Sequence, residues 1–354
     1  MNEQNPLGLD GFAFAEFTSP DPTAMAATFA QLGFVPASRH PTRDIVRYKQ
    51  GRIDLLLNNE PTGQAAVFRV AHGPSACGMA FRVADPASAY ARALENGAKP
   101  VDVTRGALGE GSYAIEGIGG AYLYLVAGGR VFDAWDQVPG AEEAEAENSV
   151  GLDLLDHLTH NVRRGEMRTW STFYDRIFGF EEQKYFDIKG QATGLFSQAM
   201  IAPDKAIRIP LNESQDENSQ IEEYLRDYGG EGIQHLALST NDIYATVEKL
   251  RARGVRLQDT NETYFDMIDA RVPGHGEDVP RLRANRILID GDVENEGVLL
   301  QIFTENLFGP IFFEIIQRKG NEGFGIGNFT ALFESIELDQ IRRGVIKVDA
   351  GDGA

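Results

Sequence analysis

The chain has 354 residues, 42% of them hydrophobic, and a formal charge of −20. That length favours two domains over one, and the acidic balance argues against nucleic acid or an anionic membrane as partner. A single cysteine, Cys77, excludes an intrachain disulfide framework and a multi-cysteine zinc site. No apolar run approaches the ~18 residues of a membrane span, and Met1 to Asp10 is polar with no signal-peptide core. A cytoplasmic protein is expected, and the charge does not forbid the homo-oligomer that is also expected.

Phe12 to Phe17 reads as a first strand, and Asp21-Pro22 starts a helix (Ala24 to Leu32) ended by Gly33. Ile45 to Asn58 carries two short strands around a turn at Gln50-Gly51. Cys77 to Val83 is a strand, a helix runs from Asp85-Pro86 to about Asn96, and Ala121 to Val126 is a strand again. The run Ala141 to Glu147 is charged and lacks a core pattern, so it reads as a solvated acidic linker with some helix. The pattern then returns: strand Leu154 to Asn161, helix Glu166 to Phe178 stopped by Gly179, strand Ile233 to Ser239, and a helix capped by Asp242 and closed by Gly254.

Two anchors indicate an internal repeat. Leu32-Gly33-Phe34 matches Phe178-Gly179-Phe180, and Gly78-Met79-Ala80-Phe81 with Asp85 matches His235-Leu236-Ala237-Leu238 with Asp242. The expected fold is α+β, with two pseudo-symmetric halves of repeated βαβββ-type modules forming half-open barrel sheets. The halves are residues 1–150 and 151–354. Polar residues at apolar strand positions are richer in the second, which places the chemistry there.

The chemistry centres on Glu314, inside the apolar run Pro310 to Arg318. An unpaired buried carboxylate is costly, and Arg318, four residues on, lies roughly 13 Å away at strand rise. A cation answers the charge. Of six histidines, His157 and His235 sit in apolar strands of the second half. Two imidazoles and one carboxylate from three strands suit a non-haem Fe(II) site with open positions. A lone strand histidine is commonly a plain core residue, and a lone buried Glu can find backbone donors. His160 faces the opposite side from His157 by strand parity and reads as structural. His275-Gly276-Glu277 imitates a ligand pair but follows Pro273-Gly274 in a loop-like stretch. Phe312 shares the face of Glu314, and Gln301 and Phe303 share another strand face. The run Gly323 to Phe329 reads as a flexible connection without a phosphate-loop signature. It leads to a helix, Ala331 to Arg343, that is either core or a lid over the site.

Several stretches resemble the 4-hydroxyphenylpyruvate dioxygenase family, of the vicinal oxygen chelate superfamily. They are Asp156-His157-Leu158-Thr159-His160-Asn161, Tyr185 to Gly190, Ile209 to Glu213, Ser219-Gln220-Ile221, Gly232 to His235, Leu299 to Phe303, Phe312 to Arg318 and Gly323 to Phe329. They spread over residues 151 to 345, while the first half resembles the family only in layout. Ile326 departs from the charged residue usual there. The resemblance implies His157, His235 and Glu314 as iron ligands. It implies Ser197, Asn212, Gln220, Gln234 and Gln301 as the polar side of a pocket, Phe312, Phe324 and Phe329 as its aromatic wall, and Asn328 near a lid. Gln234 points away from the metal by strand parity, so a network role through Gln220 is expected. The first half is expected to be a metal-free scaffold, with Gly78 standing where His235 stands. The implied reaction takes an aromatic 2-oxo acid and O2, decarboxylates it, hydroxylates the ring and moves the side chain to give homogentisate. Two alternatives on the same scaffold are 4-hydroxymandelate synthase, against which Pro210 and Asn212 speak, and a ligand-sequestering protein of the bleomycin-resistance kind.

Overall fold

A computed structural model describes residues 5–189, 193–325, 327–328, 330, 333, 340–341 and 343–345. Eight strands of the first half are β1 (Phe12–Thr18), β2 (Val35–Arg39), β3 (Ile45–Gln50), β4 (Ile53–Asn58), β5 (Ser75–Val83), β6 (Tyr113–Glu116), β7 (Tyr122–Ala127) and β8 (Asp136–Gln137). The second half carries β9 (Leu152–Val162), β10 (Glu181–Lys189), β11 (Gly194–Ile201), β12 (Arg208–Ser214), β13 (Gly232–Thr240), β14 (Leu288–Asp292), β15 (Gly297–Phe303) and β16 (Phe312–Lys319). Each set forms one mixed sheet. The orders are β6-β7-β5-β1-β4-β3-β2-β8 and, read from its far edge, β14-β15-β16-β13-β9-β12-β11-β10. Shifted by one strand, with β14 and β8 unmatched at opposite edges, the orders pair β1 with β9, β5 with β13 and β7 with β16, so the expected α+β fold with two pseudo-symmetric halves is present.

Local chemistry explains the helices between strands. Asp21, Asp85 and Asp242 each accept a backbone N–H from the first turn of the helix that follows. Gly33 and Gly179, the repeat anchors, take φ of 91° and 73°, which L side chains rarely adopt. The acidic run forms a helix, Ala141–Asn148, with no buried residue, and Glu145 ties it back to Lys49 at 2.8 Å. Buried Gln50 then accepts from the backbone of Val150, fixing the start of the second half. Strand β2, the helix Gln64–His72 and strand β14 went unseen in the sequence because they are short and weakly patterned. The C-terminal helix expected over the site lies largely outside the described residues, as do Ile326 and Phe329.

The halves share a core. Phe17 and Phe29 of the first half meet Phe308 of the second at 5.8 and 5.5 Å between ring centroids, and Phe81 meets Phe178 at 5.2 Å. Truncating such a buried ring to alanine costs about 3–5 kcal/mol. This packing backs one sheet against the other and leaves the concave face of the second free to enclose a site.

Candidate metal centre and substrate cavity

Two β-bulges create the site. In the antiparallel pairing of β9 with β13, His157 opposes Ala237 and Leu155 opposes Leu238, so Asp156 is an extra residue. On the other strand His235 opposes Thr159 and Ile233 opposes His160, so Gln234 is extra. A bulge re-aims side chains that a regular strand would send to opposite faces. Each bulged residue therefore holds the histidine that follows it. His157 Nδ1–H donates to Asp156 Oδ1 at 2.9 Å, and His235 Nδ1–H donates to Gln234 Oε1 at 3.0 Å. Both rings are thereby set with Nε2 facing inward.

Glu314, opposite Ala237 on β16, supplies the third group. Its Oε2 lies 3.2 Å from His157 Nε2 and 3.5 Å from His235 Nε2. The three donor atoms lie within 4.8 Å of one another, and all three residues are buried. The other carboxylate oxygen, Oε1, accepts from Gln301 Nε2 at 2.7 Å. Gln301 Oε1 accepts from Asn328 Nδ2 at 2.8 Å, and Asn328 Oδ1 accepts from the Tyr264 hydroxyl at 2.7 Å. The far atom of every donor is thus occupied, and the near atoms are turned into one space. This arrangement fits a divalent cation.

The charges agree with the geometry. Burial raises the Glu314 carboxyl, but the two imidazoles overcome it and bring it down to about 2. Burial depresses His157, and the carboxylates Glu314 and Asp156 more than offset that, so its value rises. His235 is lowered, chiefly by burial. Asp156 is held well below the usual carboxylate range: burial opposes its charge, and the Arg318 guanidinium outweighs it.

A cavity opens beside the three groups, lined by His157, Thr159, Phe186, Ser197, Ala199, Pro210, Asn212, His235, Gln301, Phe303, Glu314 and Phe324. Phe324 sits edge-on to His157 at 5.6 Å, and Phe312 stacks on His235 at 4.7 Å. Of the residues singled out in the sequence, Ser197, Asn212, Gln301 and Phe324 meet the cavity directly. Phe312, Gln220 and Gln234 instead line a separate cleft of about 520 Å³. Asn328 stands behind Gln301, and Phe329 lies outside the described residues. Gln234 lies outside the metal cavity, as strand parity implies, beside Gln220 in the cleft, and the bulge adds a direct bond from its amide oxygen to His235 Nδ1.

The remaining histidines are engaged elsewhere. His160 Nε2 lies 2.7 Å from the Tyr174 hydroxyl on the other face of β9, and burial pushes its pKa down to about 3. His275 meets Asp269 at 2.9 Å, while Glu277 pairs with Lys319. Phe324, Gly325 and Asn328 of the glycine-rich run pack against the site. A Cβ on Gly325, whose φ is +62°, would run into Gln301 Oε1. Sequence reading missed Thr159, whose hydroxyl lies 2.9 Å from His235 Nε2. It also missed Asp156, which adjacency to His157 could have revealed, and Tyr264, for which the sequence carries no signal.

Comparison with known proteins places these observations. Residues 3–135 match the N-terminal domain of hydroxyphenylpyruvate dioxygenase, and residues 154–269 match the glyoxalase/bleomycin resistance protein/dioxygenase superfamily. The chain is 53% identical to a 4-hydroxyphenylpyruvate dioxygenase of Pseudomonas aeruginosa over 98% of both chains. It is 48% identical to one from Legionella pneumophila over 98% of this chain and 99% of the relative. Among solved structures, a mutant of 4-hydroxymandelate synthase from Streptomyces coelicolor superposes with a TM-score of 0.79 at 27% identity, covering 94% of this chain and 99% of the other. The chain belongs to the 4-hydroxyphenylpyruvate dioxygenase family.

Proposed function

We propose that this chain is an Fe(II)-dependent dioxygenase that converts 4-hydroxyphenylpyruvate and O2 to homogentisate and CO2. The observation that carries the reading is the convergence of His157 Nε2, His235 Nε2 and Glu314 Oε2 at one end of a cavity walled by amides and aromatic rings. Bound there, Fe(II) supplies the chelation of the 2-oxo acid and the activation of O2. The residues of the chain do the rest. Gln301 holds Glu314 so that one oxygen stays inward. Ser197 and Asn212 offer hydrogen bonds at the polar wall, and the Asn212 Oδ1 atom has no hydrogen-bond partner among the described residues, which suits it to a substrate group. Phe303 and Phe324 give the ring an apolar seat and exclude water. In the proposed scheme Gln234 and Gln220 act from outside the cavity, Gln234 through His235.

The cavity encloses about 30 Å³, room for only a water or two, so an aromatic 2-oxo acid needs an opening. Phe186 and Phe324 line both this cavity and an outer groove of about 770 Å³. Displacement of Phe324 is the proposed route inward. We further take residues 1–150 as scaffold and 151–354 as the catalytic half, in a cytoplasmic homo-oligomer.

The test is product analysis. The protein is loaded anaerobically with Fe(II), mixed with 4-hydroxyphenylpyruvate and air, and its products are identified by mass spectrometry and NMR. Homogentisate with CO2 supports the proposal. 4-Hydroxymandelate keeps the site but moves the oxidation to the benzylic carbon, the outcome that the structural likeness to 4-hydroxymandelate synthase makes worth separating. Tight substrate binding without any turnover points to the sequestering alternative.

A further inference from the structure

Arg318 ends the apolar run of Glu314, yet the metal reading leaves it without a role. It is largely buried, and its contacts run two ways. Nε and one terminal nitrogen form a fork to both oxygens of Asp156, each at 2.8 Å. The other terminal nitrogen donates to the backbone carbonyls of Asn321 at 3.1 Å and Gly323 at 2.6 Å. Asp156 is the bulged residue that orients His157, and Gly323 immediately precedes Phe324, whose ring lies against His157. Arg208 secures the same loop by pairing with Glu322. A second path thus runs from the metal-facing imidazole to the aromatic seat through a single guanidinium.

We propose that Arg318 is a positioning residue that locks the His157 ring and the Phe324 loop into one unit, so that metal geometry and substrate seating are set together. This inference rests on the metal-site reading above. Only a planar fork with spare donors can serve a carboxylate and two carbonyls at once. A lysine supplies the charge but not the fork. Without Arg318, Asp156 is a buried carboxylate short of its main partner, and the loop loses both carbonyl anchors.

The test separates the two directions. Full-length native protein is compared with Arg318→Lys, Arg318→Gln, Asp156→Asn and the double variant Asp156→Asn/Arg318→Gln, which leaves no lone buried charge and guards against simple misfolding. Thermal melting identifies the variants that fold. Anaerobic titration with Co(II), read by its visible absorption, should give metal binding weaker by about 10- to 100-fold in every variant, as for other residues that orient a metal-bound histidine. Hydrogen exchange over residues 320–325 should accelerate in the Arg318 variants and stay near native in Asp156→Asn. With metal saturating, KM for 4-hydroxyphenylpyruvate should rise in the Arg318 variants only. Native-strength Co(II) binding in the folded double variant overturns the proposal. So does equal loop exchange in Asp156→Asn and Arg318→Gln, because Arg318 would then be only a counter-ion for Asp156. If native protein fails to turn over the substrate, the functional reading falls, while Co(II) binding and hydrogen exchange still judge Arg318.

Discussion

The two halves use the same backbone device and put different side chains on it. In the first half, Phe12 opposes Phe81 and Phe14 opposes Ala80, so Ala13 is bulged; Glu16 opposes Gly78 and Phe17 opposes Ala76, so Cys77 is bulged. These are the counterparts of Asp156 and Gln234. The residues that follow each bulge are Phe14 and Gly78 where the second half has His157 and His235, and Tyr124, opposite Ala80, stands where Glu314 stands. Phe14 and Tyr124 meet ring to ring at 5.5 Å, joined by Phe132, in a packed apolar cluster. Glu16, the counterpart of Thr159, reaches into the space beside Gly78. The fold therefore supplies the aiming of the site twice, and the side chains at a few positions decide whether the aimed groups are donors or packing.

Glu16 and Glu314 are both buried carboxylates, with opposite consequences. Glu314 faces two imidazoles and an amide and is held ionised. Glu16 has one amide donor, Asn58 at 2.7 Å, its Oε2 has no geometric hydrogen-bond partner among the described residues, and burial raises its pKa. The largest expected effect attacks the working member of this pair. Glu314→Gln keeps the shape and removes the charge, so anaerobic Fe(II) titration should find binding lost and turnover down by at least about 10³-fold, some 4 kcal/mol. Retention of metal by that variant would move the site elsewhere. Next in size, Gln301→Leu removes the donor to Oε1 and the link to Asn328. Metal affinity or activity should fall about 10- to 100-fold in equilibrium titration and steady-state kinetics.

What the sequence disclosed and concealed follows from this comparison. The repeat was legible at its glycine anchors because a helix end needing positive φ leaves a residue-type signature. His157, His235 and Glu314 were legible because polar residues in apolar strands stand out, and the family resemblance agreed with them. The bulges were not legible. No residue type marks Asp156 or Gln234 as extra, so alternation could set Gln234 outside the metal cavity but could not show its bond to His235. Nor did anything near residue 264 suggest that Tyr264 would support Asn328 from a different segment, since that contact spans 64 residues. Local pattern reports local conformation, whereas long-range hydrogen bonds need the register.

The first half offers the next sharpening. A Cβ at Gly78 would lie 2.8 Å from Glu16 Oε2 and 3.2 Å from the Tyr122 carbonyl oxygen. Gly78→Ala should therefore destabilise the fold by about 1–3 kcal/mol, measured by denaturant unfolding, while Co(II) binding in the second half stays native. A native-like midpoint would show that Glu16 can swing aside without cost.

The smallest expected effect has the opposite sign and depends on pH. Glu16 is packed against Asn58, Tyr124 and Cys77, with Arg43 contributing at longer range. Burial holds its folded pKa above the ordinary value of 4.5, so the folded state binds the proton more tightly than the unfolded chain does. Native stability must then rise as pH falls from above the folded pKa toward 4.5, and the cost of burying the charge is greatest at high pH. Glu16→Gln is neutral at every pH and retains an oxygen for Asn58. It should be more stable than native protein by about 1 kcal/mol at pH 8, and the advantage should shrink steadily as the pH is lowered toward 5. Thermal melts of both proteins at matched ionic strength read this directly. A difference that does not change with pH would mean that Glu16 carries no raised pKa. A loss of stability at pH 8 would mean that the charged carboxylate is needed there, making Glu16 a closer parallel to Glu314 than its surroundings indicate.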